Sequence, residues 1–161
     1  MHTIIIGKNH GNRSRWMREL KPMITDPRGF YTESVADPSI GGIRIYMRGI
    51  GTGTQSSDEE EFIGTCVNRH TETCVRGYEH IIPALRSILD GSSVIMDHLG
   101  SMDACCPEFQ KEVLSLFDRC TVLAAVPDKV PDYLKTIPVR ADTCCFNAET
   151  DELETVKQML I

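Results

Sequence analysis

The sequence predicts a single α/β domain in which a mostly parallel sheet is flanked by helices and carries an antiparallel β-hairpin insertion. Two observations predict this class. Short β-branched runs alternate with stretches of helical periodicity, and β-prone pieces separated by Asp-Pro and Gly-Gly turns fill residues from about 28 to 68. Strands that alternate with helices build a parallel sheet that is covered on both faces. The length of 161 residues suits one domain spanning residues 1–161.

The first predicted unit is a strand, a loop and a helix. Residues 2–6 form an apolar run that ends at Gly7, which indicates a buried strand. A loop is expected over residues 7–13. A helix is expected over residues 14–20, because Trp16 and Leu20 recur at helical spacing before Pro22 ends the pattern.

The rest of the chain repeats this alternation. Helices are predicted over residues 73–89, 107–118 and 150–160, and buried strands over residues 93–97, 122–126 and 139–146. Within the hairpin insertion, the β-prone pieces are residues 29–35, 43–47 and 62–67. The acidic run over residues 56–61 is predicted to be a solvated loop, because charge runs usually face water.

Composition excludes several classes of function. The net charge of −6 disfavours a nucleic-acid partner, since phosphate backbones are bound by many clustered Lys and Arg side chains. No apolar run reaches the ~18 residues of a membrane-spanning helix, and no charged leader precedes the first strand. A cytoplasmic protein without a membrane partner is therefore expected. The seven cysteines include no C-x-x-C pair, so reduced thiols are predicted in place of a metal or redox centre.

The loop after the first strand partly matches a phosphate-binding pattern. In G-x-x-x-x-G-K-[ST], glycines turn backbone N–H groups toward the phosphates, the lysine contacts them and the hydroxyl binds magnesium. Gly7 and Ser14 fit this pattern, whereas Asn12 replaces the second glycine and Arg13 replaces the lysine. An ordinary strand-to-helix turn with Ser14 as the helix cap is the alternative that these residues leave open.

Four further segments extend the match along the chain. They are residues 29–33 (GFYTE), 82–85 (IPAL), 97–103 (DHLGSMD) followed by Phe109, and Asn147 before the last helix. Their order and spacing resemble the small P-loop nucleoside-triphosphatase family that includes cancer-related nucleoside-triphosphatase. This resemblance implies a P-loop NTPase-like fold over nearly the whole chain, and a nucleoside triphosphate with magnesium, or a phosphate-like anion, as the ligand.

The resemblance also implies a set of site residues. The nucleotide would be bound by the loop and its flanks, namely Gly7, Lys8, Asn9, Gly11, Asn12, Arg13, Ser14 and Arg15. Ser14 and Asp97 would hold the metal. His98 stands where the family has a glutamate that polarises water, so His98 is the candidate catalytic base. Lys8 and Arg15 flank the loop and are candidates to supply the charge of the missing lysine.

Three hypotheses follow from these departures. Gly7, Ser14 and Asp97 are retained, whereas groups that contact phosphate or activate water are replaced, which favours a nucleotide-binding protein with impaired or absent hydrolysis. An active nucleoside triphosphatase that uses Arg13 and His98 is the first alternative. The second is a non-enzymatic interaction module, or an anion-binding protein, on a P-loop fold. A protein partner is not specified by the sequence.

Overall fold

The computed structural model describes residues 1–53 and 56–160, and within them eight strands form one sheet in the order β5-β4-β3-β2-β6-β7-β1-β8. The predicted insertion at 28–68 includes residues 54 and 55, which lie outside the described residues, as does residue 161 of the predicted domain. The strands are β1 His2–Gly7, β2 Arg28–Asp37, β3 Gly42–Ile50, β4 Phe62–Val67, β5 His70–Thr73, β6 Ser93–Asp97, β7 Thr121–Pro127 and β8 Thr143–Asn147.

Strand directions confirm the predicted class. Strand β1 pairs in parallel with β7 and β8, and β6 pairs in parallel with β2 and β7. The run from β2 through β4 is antiparallel and forms the predicted hairpin insertion, and β5, which lies beyond its predicted end, adds one more antiparallel strand. Strand β2 belongs to both parts, because residues 28–31 pair with β6 and residues 29–37 pair with β3.

Helices cover both faces of the sheet. They are α1 His10–Leu20, α2 Asp58–Glu61, α3 Val75–Arg86, α4 Pro107–Arg119 and α5 Leu153–Leu160. One core lies under α3 and α4 and includes Ile4 of β1, whereas the other lies under α1 and α5 and includes Ile5. Successive residues of a strand point to opposite faces, so a strand covered on both sides needs apolar residues at every position. This explains the unbroken apolar run that predicted β1.

Several predicted boundaries are wrong, each for a local reason. Helix α1 begins at His10 instead of residue 14, because the side chain of Asn9 caps the helix by accepting the N–H of Asn12. Residues 58–61 form a helical turn with a capping box built by Ser57 and Glu60, where a loop was predicted. Strand β8 starts at Thr143, since Val139 lies in an exposed turn.

The third antiparallel pairing was missed altogether. Strand β5 pairs with β4 at the edge of the sheet, and all four of its residues are exposed. A strand without a buried face shows no apolar alternation, so hydrophobic periodicity cannot detect it. As a result the helix predicted from residue 73 begins only at Val75.

The pairing of β2 with β6 brings the backbones into contact at Gly29. Its φ is +123°, and a Cβ there would lie 2.0 Å from the carbonyl oxygen of Ile95. Gly91 also has a positive φ, of +85°, but a Cβ there meets no atom within 4 Å. The two glycines therefore separate the effect of a steric clash from that of backbone strain.

We expect Gly29→Ala to lower the free energy of unfolding by more than about 3 kcal/mol, because both strain and a backbone clash oppose it. Gly91→Ala is expected to cost only about 1 kcal/mol, from strain alone. Urea denaturation followed by circular dichroism measures both values. Equal losses in the two variants would contradict the close approach of β2 to β6.

Candidate functional site

The connection between β1 and α1 is short. Only Lys8 and Asn9 lie between Gly7, the last residue of β1, and His10, the first of α1. The side-chain oxygen of Asn9 accepts a hydrogen bond from the N–H of Asn12 at 3.1 Å. The backbone carbonyl oxygen of Asn9 accepts one from the N–H of Arg13 at 3.2 Å. A phosphate cradle needs such N–H groups turned toward the ligand. Here the N–H groups of Asn12 and Arg13 already donate hydrogen bonds to Asn9, within the first turn of the helix.

Arg13 is buried beneath this connection. Its side chain is 5% exposed, and one terminal nitrogen, Nη1, donates to the carbonyl oxygen of Gly7. Its Nε is buried and has no hydrogen-bond partner among the described residues. Burial lowers the pKa of Arg13, an effect that the nearby carboxylates of Glu149 and Asp128 oppose. Nη1 of the guanidinium therefore binds the backbone of β1, whereas Nε has no hydrogen-bond partner in the part of the chain that the structure describes.

A carboxylate of the chain itself contacts the same connection. Glu149 Oε1 accepts the backbone N–H of Asn9 at 2.6 Å, and a Cβ on Gly7 would lie 2.6 Å from the other carboxylate oxygen. Gly7 thus leaves room for this side chain. Backbone N–H groups beside a helix N-terminus attract anions, and here the anion is internal. Nothing in the sequence analysis pointed to Glu149, which lies 140 residues from Asn9.

One helical face carries most of the polar side chains of the site. His10, Ser14, Arg18 and Lys21 follow one another at intervals of four, four and three residues, which places them in a row along α1 and just beyond its end. Together with Arg13, Asp97 and His98 they line a cavity of about 190 Å³, which we call the cationic cleft. It opens next to the carboxyl end of β6.

Lys21 and Asp97 form an ion pair inside the cationic cleft. The ammonium nitrogen of Lys21 lies 2.7 Å from a carboxylate oxygen of Asp97, and both side chains are mostly shielded from solvent. The same nitrogen lies 5.0 Å from the centre of the Tyr31 ring, within cation–π range. The charge of Asp97 is therefore already balanced by the chain itself.

The donor set of the cleft does not fit a resident magnesium ion. Mg²⁺ takes several oxygen ligands, usually from carboxylates, phosphates and water. Asp97 is held by Lys21, and the Ser14 hydroxyl lies 3.5 Å from Nδ1 of His10. Within the described residues there is also no group of three or more His, Cys, Asp or Glu arranged to hold a metal. We therefore assign no chemical step to a metal.

His98 follows Asp97 with a positive φ of 87°, and its ring packs edge-on against that of His10 at 5.3 Å between ring centres. Burial, the His10 ring and the charge of Arg13 lower the pKa of His98 to about 4. A base with such a pKa is neutral at pH 7 but holds a proton weakly. This makes it a poor activator of water, because a general base works best when its pKa lies near the working pH.

The sequence-predicted site residues divide into two groups. Arg13, Ser14, Asp97 and His98 line the cationic cleft, whereas the nucleotide candidates outside its lining are Gly7, Lys8, Asn9, Gly11, Asn12 and Arg15. The sequence analysis missed the other residues that line it, which are His10, Arg18, Lys21, Tyr31, Thr32 and Ala125. The helical phase set by Ser14 is a signal for Arg18 and Lys21. The position of Thr32 depends on the sheet and has no such local signal.

Solved structures of the same architecture include the following two proteins. The crystal structure of THEP1 from the hyperthermophile Aquifex aeolicus covers 99% of this chain and 99% of its own, with a TM-score of 0.71 and 19% sequence identity. The solution structure of a human cancer-related nucleoside triphosphatase covers 99% of this chain and 96% of its own, with a TM-score of 0.65 and 18% identity. The chain has the fold of these two proteins.

This match confirms the predicted resemblance at the level of the fold, over the whole chain. No protein-family model matches the sequence, and a sequence search of curated proteins finds no match. None of the helices that the structure describes has the length and apolar character of a membrane span.

Acid should destabilise the protein through His98. Its pKa is about 4 in the folded protein and near 6.5 in an unfolded chain, so the unfolded state binds the proton first. The stabilisation is present above pH 6.5 and is lost as the pH falls toward 4. We expect the wild type to lose about 2 kcal/mol more than His98→Asn between pH 7 and pH 4, after allowing for solvent screening. Asparagine tolerates a positive φ, which makes it a suitable replacement.

Urea denaturation of both proteins at pH 7, 5.5 and 4 measures this difference. The other titrating groups are common to the two proteins, so their contributions cancel in the comparison. Parallel pH profiles would show that His98 is not held in its neutral form.

Proposed function

We propose that this protein binds the polyphosphate chain of a nucleoside triphosphate in the cationic cleft, with impaired or absent hydrolysis. The observation that carries the proposal is the charge of that cleft. Arg13, Arg18 and Lys21 line it, whereas Asp97 is the one carboxylate among its described lining residues. Burial lowers the pKa of both His10 and His98, so that neither adds charge at pH 7. A net positive cleft on a chain of net charge −6 attracts anions locally.

The position of the cleft supports the same ligand class. Open α/β sheets bind ligands beyond the carboxyl ends of their strands, and the cleft lies where β6 ends at Asp97. Arg18 is exposed on the rim and Arg13 is buried at the base, which provides charge at two depths. One of the similar structures is that of a nucleoside triphosphatase, which supports a nucleotide as the ligand at the level of class.

The geometry that supports binding also opposes turnover. Phosphoryl transfer depends on donors aimed at the charge that develops in the transition state, and losing one such donor costs ~10² to 10³ in rate. Here the N–H groups of Asn12 and Arg13 serve the helix, Asp97 is paired with Lys21, and His98 is a weak base. These three observations support the proposal that hydrolysis is impaired or absent.

Glu149 favours a second candidate, a non-enzymatic module whose nucleotide loop is closed. Its carboxylate contacts the backbone N–H of Asn9 and lies close enough to Arg13 to offset part of that residue's charge. An internal anion at this place competes with a ligand phosphate for the same groups. The two candidates differ in whether the cationic cleft alone still binds phosphates.

Calorimetric titration with inorganic triphosphate and with Mg-ATP tests the main proposal. We expect the wild type to bind both, and Arg18→Gln to weaken binding about tenfold, because it removes a charge-assisted contact from the cleft. Arg15→Gln is the matched control, since Arg15 is exposed on the same helix but does not line the cleft. Phosphate release from Mg-ATP is expected to be at least ~100-fold slower than that of the human nucleoside triphosphatase assayed alongside.

Absence of binding at millimolar triphosphate would overturn the proposal. If Arg18→Gln and Arg15→Gln weaken triphosphate binding equally, binding depends on the overall charge of the helix and not on a site in the cleft.

Removing the internal carboxylate should strengthen binding. Glu149→Gln keeps an acceptor for the N–H of Asn9 but removes the negative charge beside Arg13. We expect inorganic triphosphate to bind roughly three- to tenfold more tightly, about 1 kcal/mol. Glu152→Gln changes the net charge equally at an exposed position and is expected to have no effect. Binding that appears only in Glu149→Gln would instead favour the closed, non-enzymatic module.

A further inference from the structure

A second pocket lies over the antiparallel part of the sheet. It has a volume of about 390 Å³, and its walls come from strands β2 to β5 and from the short 3-10 helix Ser101–Cys105. We call it the sheet pocket. Its apolar lining residues include Ile43, Ile45, Ile63 and Met102, and Ser34 and Thr71 are among its polar ones.

The sheet pocket adjoins the cationic cleft. His10, Thr32 and His98 line both cavities, so the two meet at these three side chains, and we refer to the two cavities together as the groove. The two imidazole rings at the junction pack against each other, and burial keeps the pKa of each below its usual value. An uncharged junction lets a single ligand pass from the charged part of the groove to the apolar part.

The chemistry of the sheet pocket differs from that of the cleft. Among its described lining residues there is no Lys or Arg, and the one carboxylate is Asp103, which is 3% exposed. Asp103 already accepts hydrogen bonds from the hydroxyls of Tyr78 and Tyr133 and from the N–H of Gly100. The carboxylate of Asp103 therefore already has hydrogen-bond donors from the protein and does not need one from a ligand. Such a pocket accommodates an uncharged body with a few polar atoms and offers nothing to a second anion.

The volumes of the two cavities also favour an uncharged ligand group in the sheet pocket. Small-molecule pockets usually measure ~300–1,000 Å³ and are mostly apolar with a few placed polar groups. The sheet pocket falls in this range, whereas the cationic cleft, at about 190 Å³, does not. The charged and the uncharged parts of one ligand thus each have a matching part of the groove.

We infer that the sheet pocket binds the nucleoside part of the ligand, with the base against Ile43, Ile45 and Met102 and the phosphates reaching past His98 into the cationic cleft. This inference rests on the proposed function and adds a location for the base. It makes the antiparallel insertion, and not the end of the sheet beside β8, the element that selects the base.

Filling the sheet pocket tests this placement. Ser34 lines the pocket at an exposed position of β2, and Val35 next to it points to the opposite face of the sheet. Ser34→Phe should block the pocket, and Val35→Phe is the matched control with the same added bulk on the same strand. Thr71→Phe on β5 blocks the pocket from a second strand if Ser34→Phe fails to fold. Thermal unfolding establishes that each variant is folded.

Each protein is titrated with ATP and with inorganic triphosphate, both without added metal. We expect the wild type and Val35→Phe to bind ATP at least tenfold more tightly than triphosphate. Ser34→Phe and Thr71→Phe are expected to lose this preference and to bind triphosphate as the wild type does.

Two results would overturn the inference while leaving the proposed function intact. Equal affinity of the wild type for ATP and triphosphate would mean that the nucleoside part makes no contact. A preference for ATP that persists in both blocked variants would mean that the base binds elsewhere. If the wild type binds neither compound, the proposed function fails and the inference with it.

Discussion

The capping of helix α1 by Asn9 determines the geometry of the whole site. Because the helix begins at His10, only two residues separate it from β1, and the wide loop that a phosphate cradle needs is not formed. The same start places Arg13 in the first turn, beneath the carbonyl of Gly7. The spacing of four and three residues between Ser14, Arg18 and Lys21 then aligns them along one cleft. The site thus presents a row of side chains along α1 where a phosphate cradle would present a loop.

Two internal contacts occupy positions where a nucleotide-hydrolysing site needs free groups. The ammonium of Lys21 balances Asp97, the strand-end carboxylate that a metal would use, and the carboxylate of Glu149 contacts the N–H of Asn9. Both contacts join residues far apart in sequence and satisfy groups that would otherwise need a ligand. Together with the low pKa of His98, these contacts are the basis for proposing that the cleft binds phosphates with impaired or absent hydrolysis.

The apolar half of the groove depends on the part of the fold that adds antiparallel strands. Strands β2 to β5 extend the sheet past β6, and their surface beside His98 provides a wall that a purely parallel sheet would not have at this point. The charged half depends on α1 and on the end of β6. In the proposed complex, α1 and the end of β6 would contact the anionic part of the ligand, and the antiparallel strands would contact its uncharged part.

The sequence by itself determined the fold class, because strands such as β1 and β7 are buried on both faces and therefore appear as continuous apolar runs. It also named Arg13, Ser14, Asp97 and His98 as site candidates, and these four side chains line one cleft. It did not identify β5, whose exposed residues carry no periodic pattern. Only the tertiary structure decided that Lys21 pairs with Asp97 and Glu149 with Asn9. Local patterns record which residues are buried. The members of these two pairs lie 76 and 140 residues apart in the sequence, and they meet only when the sheet is assembled.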